Sequence, residues 1–152
     1  MQNLTAQILR DIKVELLDEF DRNFSRGGFF SKPWPPKRDG SASHLIKTGK
    51  LRRSIRATVS GNAVTFTSSE PYSAIHNEGG SITVTAQMRK YFWAMFKKTG
   101  QERYKYLALK KVGSKIHVPR RQYIGDSPEV RRSIETIITD NINQYLSNIA
   151  KK

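Results

Sequence analysis

The chain reads as an α+β protein: a small antiparallel β-sheet packed by long N- and C-terminal helices, with a basic helical hairpin inserted. Three observations predict this. Apolar residues recur at helical spacing from about residue 3 to 24 and again from about 128 to 149. Residues 55–60 and 63–68 alternate apolar and polar around Gly61-Asn62, the strongest short hairpin signal. The length, 152 residues, suits one domain with its own core.

In the first helix Leu4, Ile8, Ile12, Leu16, Phe20 and Phe24 fall on every fourth residue, and Leu9 and Leu17 widen the stripe. Its outer face carries Asp11, Glu15, Asp18 and Asp21. Residues 25–44 then hold Gly27-Gly28, Pro33-Trp34-Pro35-Pro36 and Asp39-Gly40-Ser41. That content predicts a long flexible loop without regular structure, with Trp34 as its packing anchor. Thr48 is placed to cap a short helix through Leu51 and Ile55.

After the 55–68 hairpin, Pro71 opens a helical turn expected to carry Tyr72 and Ile75 inward. At least one of Gly79 and Gly80 is expected at positive φ, turning the chain into a third strand at 81–85. Lys115–Val118 reads as a fourth strand, stopped by Pro119, that returns beside the third. These four strands are expected in one sheet. Between the last two lies the insertion, residues 86–114. It has a helix near 87–98, ended at Thr99-Gly100, and a second helical stretch near 102–111. Ser127-Pro128 caps the last helix, whose stripe runs through Val130, Ile134, Ile137, Ile138, Ile142, Tyr145, Leu146 and Ile149.

The net charge is +14, and it is unevenly spread. Residues 25–56 carry +8 and residues 86–121 carry +10, while 57–85 carry −2. Such blocks favour polyanions or acidic protein surfaces. In the insertion Arg89, Lys90, Lys97, Lys98, Arg103, Lys105, Lys110 and Lys111 are interleaved with Tyr91, Phe92, Trp93, Tyr104 and Tyr106. Cations neutralise phosphates and aromatic faces stack on unpaired bases, so a nucleic-acid-binding module is the alternative function class.

Catalytic chemistry finds no organised set of groups. There is no cysteine, so neither disulfide nor thiolate chemistry, and a reducing compartment fits. His44, His76 and His117 stand apart from one another, with no metal-ligand spacing. No phosphate loop or serine elbow is present. The expectation is therefore a protein that is not an enzyme and uses no metal or cofactor. No basic leader precedes an apolar run at the start, and no stretch approaches the ~20 apolar residues of a membrane span.

Three short signatures recur in fixed order. They are Leu45-Ile46-Lys47-Thr48-Gly49-Lys50-Leu51-Arg52-Arg53-Ser54-Ile55, Tyr72-Ser73-Ala74-Ile75-His76-Asn77-Glu78-Gly79-Gly80-Ser81-Ile82 and Val118-Pro119-Arg120-Arg121-Gln122-Tyr123-Ile124-Gly125. Together they resemble the phage virion morphogenesis family, the Mu-like tail-completion proteins, over roughly 45–85 and 115–150. The matching positions are Thr48, Gly49, Leu51, Ser54, Ile55, Tyr72, His76, Gly79, Gly80, Pro119, Arg121, Tyr123 and Gly125. The resemblance implies a structural protein of tail completion or head–tail joining, often working as a ring and binding other tail or connector proteins. It implies assembly in the bacterial host cytoplasm followed by residence in the virion, and no catalytic residue. The 86–114 insertion departs from the shorter family pattern.

Overall fold

The computed structural model describes residues 2–37, 40, 41, 45 and 49–152. The expected cap at Thr48 and the histidine at 44 lie outside them. The fold is α+β, with long helices at both ends and short antiparallel strands between. The chain divides into two compact units, residues 1–78 with 120–152, and residues 79–119.

The first unit opens with α1, Gln2–Arg26. Gly27 ends it: at φ 68° its amide turns back to the Asn23 carbonyl at 3.0 Å. The chain then makes a small hairpin, β1 Gly28–Phe29 paired with β2 Lys32–Pro33. This corrects the structureless loop expected from residue 25. The glycines and prolines sit at the turn and edge positions that a hairpin tolerates, and the aromatics fill the helix face. Phe29 packs on Phe20 at 6.4 Å between ring centroids, and Phe30 meets Phe29 edge-on at 4.9 Å. Trp34 is buried, as an anchor should be.

Helix α2, Lys50–Ser54, leads into the hairpin of β3 (Ile55–Ser60) and β4 (Ala63–Ser68), in register from Ile55–Ser68 to Ser60–Ala63 around the Gly61-Asn62 turn. Helix α3 covers Ser73–Glu78, and α6 covers Pro128–Ala150 with the Ser127 hydroxyl accepting from the Val130 amide at 3.1 Å. Tyr72 is exposed, not inward; it precedes the helix and stands edge-on to His76 at 5.8 Å.

Two apolar clusters hold this unit. Ile12, Leu16, Phe20, Phe29 and Val130 form one, flanked by Ile8, Val64, Phe66, Ile134 and Ile137. Phe24, Trp34, Leu51, Ile55 and Tyr123 form the other. Each such buried side chain contributes about 1.5–3 kcal/mol.

The second unit pairs β5 (Gly80–Thr83) with β6 (Lys115–Val118), and carries α4 (Ala86–Thr99) and α5 (Glu102–Ala108) between them. The fourth strand does return beside the third. The single four-stranded sheet is corrected: among the described residues the strands form three separate two-stranded sheets. Gly79 and Gly80 both take positive φ, 75° and 148°, where β-branched or bulky residues would be strained. Within the unit, Thr85 caps α4 by accepting from the Met88 amide, and Gly100 at φ 68° ends it. Val84 and Ala108 are its buried residues.

Candidate functional site

Parts of all three signatures meet at Tyr123, which is 1% exposed. Its ring lies 5.2 Å from Phe24, in the cluster completed by Trp34 and by Leu51 and Ile55 of the first signature. Its hydroxyl donates to the Ser73 carbonyl at 2.8 Å, inside the second signature. Its amide and that of Ile124 both donate to Asn77 Oδ1, at 2.9 and 3.1 Å. Its carbonyl accepts from Asn23 Nδ2 at 3.0 Å. Neighbouring Gln122 accepts Trp34 Nε1 at 2.7 Å. Among the described residues this segment has no ladder partner, and side-chain amides and an indole stand in for a neighbouring strand.

Arg121 is 8% exposed and belongs to the same network. Its Nε and Nη2 donate to the carbonyls of Pro35 and Pro36 at 3.1 and 3.0 Å, and its amide donates to the His76 carbonyl at 2.8 Å. Burial pushes its pKa down. His76 is also pushed below its usual range, first by burial and then by the Arg121 charge. Its Nδ1 is buried without a hydrogen-bond partner. Burial raises the Tyr123 phenol, partly countered by its bond to Ser73.

Other described family positions lie around this network or at the ends of the second unit. Gly49 takes φ 72° before α2 and accepts the Arg53 amide at 3.0 Å. Ser54 Oγ donates to the Leu51 carbonyl and shares a 2.6 Å hydrogen bond with Ser68, closing α2 onto β4. Gly125 lies at φ 144° ahead of α6. Gly79, Gly80 and Pro119 belong to the ends of the second unit. Parts of the signatures in the first unit thus build a hydrogen-bonded hub. Every polar group of Tyr123 is already engaged, so its side chain and backbone hold position.

Sequence reading missed Asn23 and Asn77. Asn23 is fully buried, and its Oδ1 also accepts from the Phe30 amide and Arg26 Nη1, each at 3.0 Å. The available signal was a polar residue inside the apolar stripe of α1, beside Phe24. Asn77 stood in the second signature without being singled out.

The basic residues of the insertion take three roles. Arg89 turns inward, its Nε donating to the Ala108 carbonyl at 2.9 Å and tying α4 to α5. Arg103, Lys105 and Lys110 lie over the rings of Tyr104, Phe96 and Tyr106 at 4.7, 5.9 and 4.9 Å. Lys90, Lys97, Lys98 and Lys111 face solvent. The unit 79–119 holds nine basic side chains and one acidic, net +8. The ion pairs of the described residues all belong to the other unit. There they engage Asp18, Glu19 and Asp21, so much of the acidic face of α1 is already neutralised at home. Met88, Phe92, Met95 and Phe96 are half-buried as their helical spacing predicted, while Tyr91, edge-on to Phe92 at 5.6 Å, and Tyr106, under Lys110, are more than half exposed. Lys115 Nζ donates to Thr83 Oγ1 across β5 and β6, and His117 is exposed on β6. Among the described residues no group of histidines and carboxylates is arranged to hold a metal ion. None of the described helices is long and apolar enough to cross a membrane.

The sequence profile of the phage virion morphogenesis family matches residues 2–143. No curated protein and no solved structure matches the chain.

Proposed function

The chain belongs to the phage virion morphogenesis family, and from that premise we propose that it completes the tail or joins it to the head. Its role is structural and phage-associated. The work is done by binding neighbouring virion proteins, with copies arranged as a ring, which requires a heterologous contact closing by rotation. The residues that carry the docking are Lys90, Lys97, Lys98 and Lys111 of the second unit, with the 25–44 segment as the other contact. The supporting observation is a net charge of +8 with no ion pair inside that unit. Like charge at this density repels itself, and an acidic partner surface relieves the repulsion. Such contacts set specificity and association rate more than affinity. Assembly takes place in the host cytoplasm, after which the protein stays in the virion.

The test is particle completion. A chain with Lys90→Glu, Lys97→Glu, Lys98→Glu and Lys111→Glu should keep its circular dichroism spectrum and melting profile but fail to complete infectious particles. Raising salt should slow assembly of the unmodified chain, because the Debye length falls from ~10 Å at 0.1 M to ~3 Å at 1 M. Normal particle yield from the charge-reversed chain would remove the insertion from the docking surface.

The second reading, a nucleic-acid-binding module, draws on Tyr91 and Tyr106, both more than half exposed in the basic unit, Tyr106 with Lys110 over its ring. Stacking on a base is worth ~1–3 kcal/mol per aromatic. If it is right, Tyr91→Ala with Tyr106→Ala weakens single-stranded DNA binding at least tenfold in a fluorescence titration at fixed salt. If those substitutions leave binding unchanged, only general charge attraction remains.

A further inference from the structure

Helix α6 is half used. Its N-terminal part is packed: Val130 is buried, Ile134 and Ile137 lie against the core, and buried Asn141 donates to Asp11 Oδ2 of α1 at 2.9 Å. Turned from that face runs a second stripe, Ile138, Ile142, Tyr145, Leu146 and Ile149, exposed by 36, 40, 37, 55 and 52%. Isolated exposed apolar residues need no explanation, but five large ones on one helix face do. The steps from Ile138 to Ile142, Tyr145 and Ile149 are four, three and four, the seam spacing of two helices packed side by side.

We propose that this stripe is covered by the same stripe of a second copy, in an antiparallel two-fold pair of α6 helices. The stripe is self-complementary in one register. Ile138 then faces Ile149 of the other copy and Ile142 faces Tyr145, and the two-fold axis repeats each layer. Charge selects the direction. Glu135 lies one turn before Ile138 on the same side, and Lys151 and Lys152 follow the helix at its other end. Antiparallel pairing brings Glu135 to Lys152, whereas parallel pairing stacks like charge on like. The positions flanking the stripe, Thr139, Asn143 and Ala150, are uncharged, so nothing there favours the strongly charged partner that the insertion invites. The contact uses no residue assigned above to virion docking, so the two readings fail independently.

The chain has no cysteine, which makes directed cross-linking clean. Sedimentation velocity of the full chain should show a monomer–dimer equilibrium that moves toward dimer with concentration. Ile142→Lys should shift its midpoint by at least tenfold while leaving the melting profile unchanged, since the core face of α6 is untouched. Under mild oxidation the Ile138→Cys/Ile149→Cys chain should form a covalent dimer, and the Ile149→Cys chain should not. Monomer at all concentrations, a dimer indifferent to Ile142→Lys, or efficient cross-linking through Ile149→Cys alone would each overturn the proposal. Charge reversal in the insertion should leave the dimer intact, and loss of the dimer there would place the interface on the wrong element.

Discussion

Replacing Asn23 by alanine tests whether the hub is held by its polar bonds or merely by packing. Asn23 is 0% exposed and makes three hydrogen bonds. Asn23→Ala strips the Tyr123 carbonyl and the Phe30 amide of their partner. A buried backbone group left unpaired costs ~1–3 kcal/mol, so the two together cost ~2–6. Arg26 loses little, because it keeps Glu19 at 2.8 Å. Alanine returns roughly 0.6 kcal/mol of helix propensity to α1. Phe30 is only half-buried, which puts its share at the low end. The expected loss is therefore about 2–4 kcal/mol. The assay is urea unfolding followed by Trp34 fluorescence in a Trp93→Phe background, so that the signal comes from the unit holding the hub. A loss below about 1 kcal/mol would show that packing around Phe24 and Tyr123 suffices, and that the polar bonds are incidental.

The remaining predictions concern pH. His76 is half-buried with a folded pKa below its ordinary value, so the unfolded chain binds its proton first. Stability should be full above the unfolded value of about 6.5 and fall as pH drops below it, levelling off under the depressed folded pKa. Urea midpoints at pH 7.5 and 5.5 should differ for the unmodified chain, and His76→Gln should shrink that difference. Asp21 works in the opposite sense. Arg52 grips it through two bonds, at 2.7 and 2.8 Å, and these hold its carboxyl below the usual range. Its contribution is present above about pH 4 and lost as pH falls through the lowered folded value. Arg52→Met should flatten that acid limb and cost about 1 kcal/mol or less at neutral pH, because both side chains are partly solvated.

Local order was legible in the sequence because it is written in near neighbours. The four-residue recurrence from Leu4 to Phe24 is α1, the alternation around Gly61-Asn62 is the β3–β4 hairpin in register, and Ser127-Pro128 is the start of α6. At least one positive φ was expected at Gly79-Gly80 before the strand, and both take it. The three signatures named the family for the same reason: each is a short run whose residues act together.

Tertiary structure decided everything that depends on which surfaces meet. Proline and glycine in residues 28–33 argued against regular structure, yet burial of Phe29 against Phe20 made a hairpin worth forming. Strand periodicity cannot say which strand lies beside which, so one expected sheet became three separate pairs. Asn23 and Asn77 look like ordinary polar residues until Tyr123 brings its unpaired amide and carbonyl to them across the chain. The apolar stripe of α6 was plain in the sequence, but only the packed molecule shows that half of it faces solvent. Periodicity records that a face is apolar; the partner that covers it is a property of three dimensions.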